Sequence, residues 1–81
     1  MNLNKHTGIE RTVADLEPGE IGIINCLKDD ILALKLLEMG FLPGSEVKLN
    51  FKAPLGDPLS VRVSGYNISI RLDEAAMISL Q

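Results

Sequence analysis

Three stretches in the C-terminal half of the chain alternate apolar and polar residues. Val47, Leu49 and Phe51 alternate with Lys48, Asn50 and Lys52. Leu59, Val61 and Val63 alternate with Ser60, Arg62 and Ser64, and Ile68, Ile70 and Leu72 with Asn67, Ser69 and Arg71. Successive side chains on a strand point to opposite faces, so each stretch predicts a half-buried antiparallel strand. The three apolar sets can be buried together only if the sheet curves. Val47, Leu49, Phe51, Val61, Val63, Ile68 and Ile70 are therefore expected in one core, with the inner side of a helix closing it. Pro54-Leu55-Gly56-Asp57-Pro58 joins the first two of these strands. Ser64-Gly65-Tyr66-Asn67 holds the tight turn between the second and third.

Upstream the pattern changes. Glu20 to Leu27 is apolar almost throughout, which suits a strand buried on much of both faces. Asp29 or Asp30 can cap a helix that runs through Ile31 to Met39 without a breaker. At about 100° per residue, Leu32, Leu36 and Met39 share one arc, with Ala33 beside it. That arc is expected to face the sheet. Lys35 and Glu38 lie on the far side, and Ile31 and Leu34 fall on or beside it, apolar where burial is not required. Gly40 can close the helix in a left-handed conformation, and Pro43-Gly44 fits positions i+1 and i+2 of a type II turn.

The ends of the chain add little. Thr12-Val13-Ala14-Asp15 has the form of a capping box for a short turn. Asp73-Glu74-Ala75-Ala76 resembles a single capped turn, and Met77 to Leu80 a last strand. Residues 1–11 are polar and aperiodic, which predicts a flexible N-terminal tail before a single domain over 12–81. The expected fold is mainly β: a small, partly open barrel of about five antiparallel strands, with one short inserted helix at about 29–39 and short helical turns near 12–16 and 73–76. Closure of this kind protects strand edges.

Composition narrows the function. The chain has 81 residues, enough for one small domain, and a formal net charge of -3. Its eight Lys and Arg are scattered. Counterion release would contribute little, so no nucleic-acid partner is expected. Anionic lipid offers an acidic chain no attraction either. Cys26 is the only cysteine, which fits a reducing compartment. No apolar run approaches the roughly 18 residues needed to span a bilayer, so no membrane insertion is expected. The N-terminus has no apolar core like that of a signal peptide, so a cytoplasmic location is expected.

Candidate chemistry is sparse. His6 is the only histidine and has no cysteine or carboxylate at ligand spacing. Cys26 ends an apolar strand and is expected to pack as a small hydrophobe. The acidic pairs Asp29-Asp30 and Asp73-Glu74 sit where helices need caps, which explains them more cheaply than cation binding. No nucleophile–base pair and no phosphate-binding Gly-rich loop can be assembled. Arg62 and Arg71 lie on polar strand faces, where solvation is the simplest role. The protein is expected to be non-enzymatic, with no cofactor and no metal site, and to act by binding.

Four pieces of the chain together resemble the FeoA family. They are Leu16-Glu17-Pro18-Gly19-Glu20, Leu36-Leu37-Glu38-Met39-Gly40-Phe41-Leu42-Pro43-Gly44, Ala53-Pro54-Leu55-Gly56-Asp57-Pro58 and Ile70-Arg71-Leu72-Asp73-Glu74-Ala75-Ala76. The resemblance implies an SH3-like barrel and an accessory role in bacterial ferrous iron uptake. It implies a partner too, the membrane transporter FeoB, met at its cytoplasmic portion. The family often carries two successive basic residues before the Leu-Leu pair; here they are Leu34 and Lys35. The helix face of Ile31, Leu34, Lys35 and Glu38, with the loop tip of Leu55, Gly56 and Asp57, is the expected partner-binding surface. A monomer is expected. The alternative is an SH3-like module sensing a metal or ligand for an iron-dependent regulator, although the sequence holds no helix-turn-helix.

Overall fold

In the computed structural model, which describes residues 10–81, a 3-10 turn over Val13–Asp15 is followed by β1 (Ile21–Leu27) and α1 (Asp30–Glu38). Then come β2 (Glu46–Lys52), β3 (Leu59–Val63), β4 (Tyr66–Ile70), the one-turn helix α2 (Leu72–Ala75) and β5 (Ile78–Leu80). The five strands form one antiparallel sheet in the order β4-β3-β2-β1-β5. β1 changes partner along its length. Ile21, Gly22 and Ile23 pair with Lys48, Val47 and Glu46 of β2, whereas Ile24, Cys26 and Leu27 pair with Leu80, Ser79 and Ile78 of β5. The sheet turns on that strand, and the predicted mainly β, five-stranded fold is what forms.

The helix ends follow their local chemistry. Asp29 Oδ1 accepts from the backbone N–H groups of Ile31 at 2.9 Å and Leu32 at 3.0 Å, so two otherwise orphaned donors are satisfied. At the C-terminus Gly40 has φ of 104°, its N–H meets Leu37 O, and the N–H of Phe41 meets Leu36 O. This is the paired bonding of a Schellman motif. The motif brings the residue after the glycine back against the last turn, and Phe41 is fully buried there with Leu36. The turn that comes next is the expected type II form, with Ser45 N–H bonded to Leu42 O at 3.0 Å.

Two β-bulges correct the expected burial. On β2, Leu49 faces Val61 but Phe51 faces Ser60, so Asn50 is an extra residue. An extra residue reverses the inside–outside phase of the rest of its strand. Val47 and Leu49 are buried as expected, but Phe51 is 59% exposed and does not belong to the core. Ile68, on the edge strand β4, is only partly buried. On β1, Ile24 faces Leu80 and Cys26 faces Ser79, which leaves Asn25 extra. Ile24 is buried, but Cys26 and Ile21 are exposed, so β1 is covered on one face only and Cys26 is not a packing residue.

The chain ends are tied by specific contacts. Thr12 N–H donates to Asp15 Oδ2 at 2.8 Å in the first turn. Leu80 N–H donates to Arg11 O at 2.9 Å, Arg11 pairs with Glu20 at 2.9 Å, and Glu10 pairs with Lys28 at 2.8 Å. The chain is thus held to the sheet at Glu10 and Arg11. Residues 1–9 of the expected tail, with His6, lie outside the described residues. At α2 the cap is not Asp73. Arg71 occupies the cap position, its N–H donates to Glu74 Oε1 at 2.9 Å, and Asp57 Oδ1 accepts from Leu72 N–H at 2.9 Å.

Candidate docking site

α1 is long enough to present two faces, and only one is needed by the core. Leu36 is fully buried, and Leu32 and Met39 are partly buried against the same cluster. On the other side Ile31 is 90% exposed and Leu34 65%. Leu37 is exposed too and continues the line at three-residue spacing. Leu37 was not among the expected contact residues, although its position three after Leu34 is a usable signal. Glu38 is exposed and enters no ion pair among the described residues.

Lys35, one of the expected contact residues, has a partner within the fold. It lies between the outer arc and the arc of Leu32 and Met39, and from there it reaches α2. Its Nζ stands 2.7 Å from Glu74 Oε2. The Lys35 hydrogen bond, then the Arg71 N–H, hold the Glu74 carboxyl below its ordinary range against the opposing effect of burial. Lys35 thus ties the two helices while its side chain stays largely solvated.

The loop between β2 and β3 is closed tightly. Ala53 N–H bonds to Pro58 O at 3.0 Å, and Gly56 N–H to Ala53 O at 2.7 Å. Gly56 has φ of 86°, a conformation that side chains with a Cβ rarely adopt. Leu55 at the tip is 97% exposed. Asp57 is exposed but its Oδ1 accepts the first N–H of α2, from Leu72. Both expected contact elements are therefore fastened to the same one-turn helix, α1 through Lys35 and the loop through Asp57. Ile31, Leu34 and Leu55 are left exposed to solvent.

A cleft of about 440 Å³ runs between α1 and α2, lined in part by Leu32, Lys35, Glu74 and Met77. Lys35 and Glu74 within it are already paired with each other, as are Arg71 and Asp73. Among the described residues no three His, Cys, Asp or Glu side chains stand close enough to hold a metal ion. No helix among them is long and apolar enough to cross a membrane.

Comparison with known proteins supplies the context. The family model of the FeoA domain matches residues 11–81. The Fe(2+) transport protein A/Fe(2+) transporter FeoB fusion protein of Porphyromonas gingivalis is 31% identical over 70 residues, which is 85% of this chain and 8% of that protein. The chain therefore spans less than a tenth of that relative. The solution structure of iron(II) transport protein A from Clostridium thermocellum superposes with a TM-score of 0.82 at 36% identity, over 88% of this chain and 44% of that one. The FeoA-like protein of Clostridium acetobutylicum gives a TM-score of 0.83 at 27% identity, over 89% and 85% of the two chains. FeoA of Stenotrophomonas maltophilia, solved in complex with zinc and described as a prokaryotic SH3 domain protein, gives 0.78 at 29% identity, over 88% and 89%. The five-stranded sheet is accordingly SH3-like.

Proposed function

Since this chain belongs to the FeoA family, we propose that it is a non-enzymatic accessory protein of ferrous iron uptake that docks on the cytoplasmic portion of a FeoB-type transporter and modulates it. It does so as a cytoplasmic monomer, through the outer stripe of α1. One observation carries this reading. Leu34 and Ile31 are solvated apolar side chains on a helix whose inner face is already satisfied, and the neighbouring cation Lys35 is committed to Glu74. An apolar stripe with charges at its margin has the make-up of an interface core and rim. The relative in which transport protein A and FeoB are one polypeptide supports the choice of partner.

The test is the affinity of the protein for the transporter's cytoplasmic portion, measured beside the thermal midpoint for wild type and Leu34→Glu. The midpoint is expected to stay, since Leu34 is solvated. The affinity is expected to fall about tenfold or more, because a carboxylate would be buried without a partner. Unchanged affinity in a folded variant removes α1 from the interface.

A second reading draws on the zinc complex of the Stenotrophomonas maltophilia protein. It makes this chain a metal- or ligand-sensing module of a regulator. Titration of the protein with Fe(II), Mn(II) and Zn(II) separates the two, because tight stoichiometric binding belongs to the sensor.

A further inference from the structure

On the face of the sheet opposite the core, Lys48 of β2 stands directly across from Arg62 of β3. Like charges in direct opposition destabilise a strand pair. Arg11, Lys28, Lys35 and Arg71 each have a carboxylate partner. Among the described residues Lys48, Lys52 and Arg62 have none, and of these only Lys48 and Arg62 face each other. Arg62 Nη1 has only a 3.4 Å contact with Asn67 Oδ1.

The surroundings of this pair are apolar as well as polar. Ile21 pairs with Lys48 on β1 and is exposed. Phe51, turned outward by the β2 bulge, pairs with Ser60, two residues from Arg62 on the same face. The two cations therefore share this face with two solvated hydrophobic side chains. The one carboxylate on this side of β2 is Glu46, which borders the shallow concavity of about 530 Å³ that Lys48 and Arg62 help to line.

We propose that this outer sheet face, centred on Lys48 and Arg62, is a second docking surface, and that its occupant is an acidic segment of a protein partner whose apolar side chains cover Ile21 and Phe51. Charge complementarity selects the partner. Two cations that enter no ion pair among the described residues, in a chain of net charge -3, attract carboxylates at short range. A nucleic acid or an anionic membrane would require a broad basic surface, which the described residues do not present. The exposed Ile21 and Phe51 favour a peptide over a small anion, since hydrophobic cover is of use only to a ligand with apolar groups. The proposal concerns a face distinct from the outer stripe of α1, so it stands or falls apart from the transporter-docking reading.

The probe is a synthetic peptide in which Glu alternates with Leu, titrated into the isotopically labelled protein and followed by amide chemical shifts. Shifts are expected at Ile21, Lys48, Phe51 and Arg62, with an affinity that falls as salt rises. The Lys48→Gln/Arg62→Gln double variant is expected to lose about tenfold or more in affinity while its thermal midpoint holds or rises, because the repulsion is gone. Leu34→Glu is expected to leave the peptide affinity unchanged. The shift map of the wild-type protein tests the site without relying on any variant. Four outcomes overturn the proposal: shifts confined to α1, equal binding of a Lys–Leu peptide, the same shifts with inorganic phosphate at similar concentration, or concentration-dependent self-association that the double variant abolishes. The last would assign this face to a second copy of the chain.

Discussion

Lys35 Nζ and Glu74 Oε2 lie 2.7 Å apart across 39 residues of sequence, and the pair joins the inserted helix α1 to the one-turn helix α2. Glu74 is buried and has a second duty, accepting the N–H of Arg71 at 2.9 Å. Its carboxylate is thus held by one cation and one backbone donor. Both favour the ionised form, which is why its pKa is lowered.

The first prediction rests on the sign of that shift. A carboxyl whose pKa is lower in the folded state contributes stability above its unfolded pKa, roughly 4.3. The contribution is lost as pH falls through the folded value. The thermal midpoint should therefore decline below about pH 4 in part through Glu74, and Glu74→Gln should flatten that part of the profile. Lys35→Met should cost about 1 kcal/mol at neutral pH, since Lys35 is largely solvated and Glu74 keeps its Arg71 N–H. An acid limb unchanged in Glu74→Gln would show that other carboxylates set it.

The second prediction separates the two phenylalanines. Phe41 is fully buried and Phe51 is solvated. Phe41→Ala should cost about 3–5 kcal/mol, a large fraction of what so small a domain has to lose. Phe51→Ser should stay within about 0.5 kcal/mol of wild type. Urea denaturation of both variants measures the contrast, and a reversed order would mean that Asn50 is not an extra residue in β2.

That contrast also marks the limit of what was legible. Alternation found β2, β3 and β4, and local chemistry found the helix, its Asp29 cap, the Gly40 stop and the Pro43-Gly44 turn. Each of those signals lies within a few residues of its own cause. A bulge does not. Asn50 becomes the extra residue only when β2 meets β3, and its side-chain N–H then reaches across to Asn67 Oδ1 of β4 at 3.1 Å. The same holds for Cys26, which the Asn25 bulge on β1 leaves exposed. At the candidate site, the helical period placed Ile31 and Leu34 outward correctly. It could not report that Lys35 and Asp57 are spent on α2, because α2 is remote in sequence from both. The burial of Phe41 has a local signal, since a residue after a C-terminal glycine often packs back on the last turn.

The third prediction concerns Gly22, a strand glycine with no turn to explain it. A Cβ at Gly22 would stand 2.8 Å from Leu80 Cδ1 and 3.1 Å from Leu80 Cδ2. The atoms that would have to shift are the methyls of Leu80, which is buried. Gly22→Ala should cost about 1–3 kcal/mol as overpacking. Combined with Leu80→Ala, its penalty should shrink, because the clashing methyls are gone and the two sites are coupled. Strict additivity in the double-mutant cycle would place the cost in the strand backbone instead.

The last prediction concerns the loop tip, where display and support can be told apart. Leu55 touches solvent almost everywhere, while two residues on Asp57 holds the Leu72 N–H. Leu55→Ser should leave stability within about 0.5 kcal/mol of wild type, since it removes no buried contact. Asp57→Ala should cost about 1 kcal/mol, the usual penalty for losing a helix cap, and should loosen the loop. A rigid apolar tip binds at reduced entropic cost. If the loop belongs to the transporter interface, Leu55→Ser therefore weakens affinity for the cytoplasmic portion of FeoB at unchanged stability. Asp57→Ala then weakens it less, and through flexibility alone. The measurement is a pair of affinities and a pair of midpoints. An affinity that tracks only the midpoint would make the loop a structural brace, and would leave Ile31 and Leu34 on α1 as the docking surface.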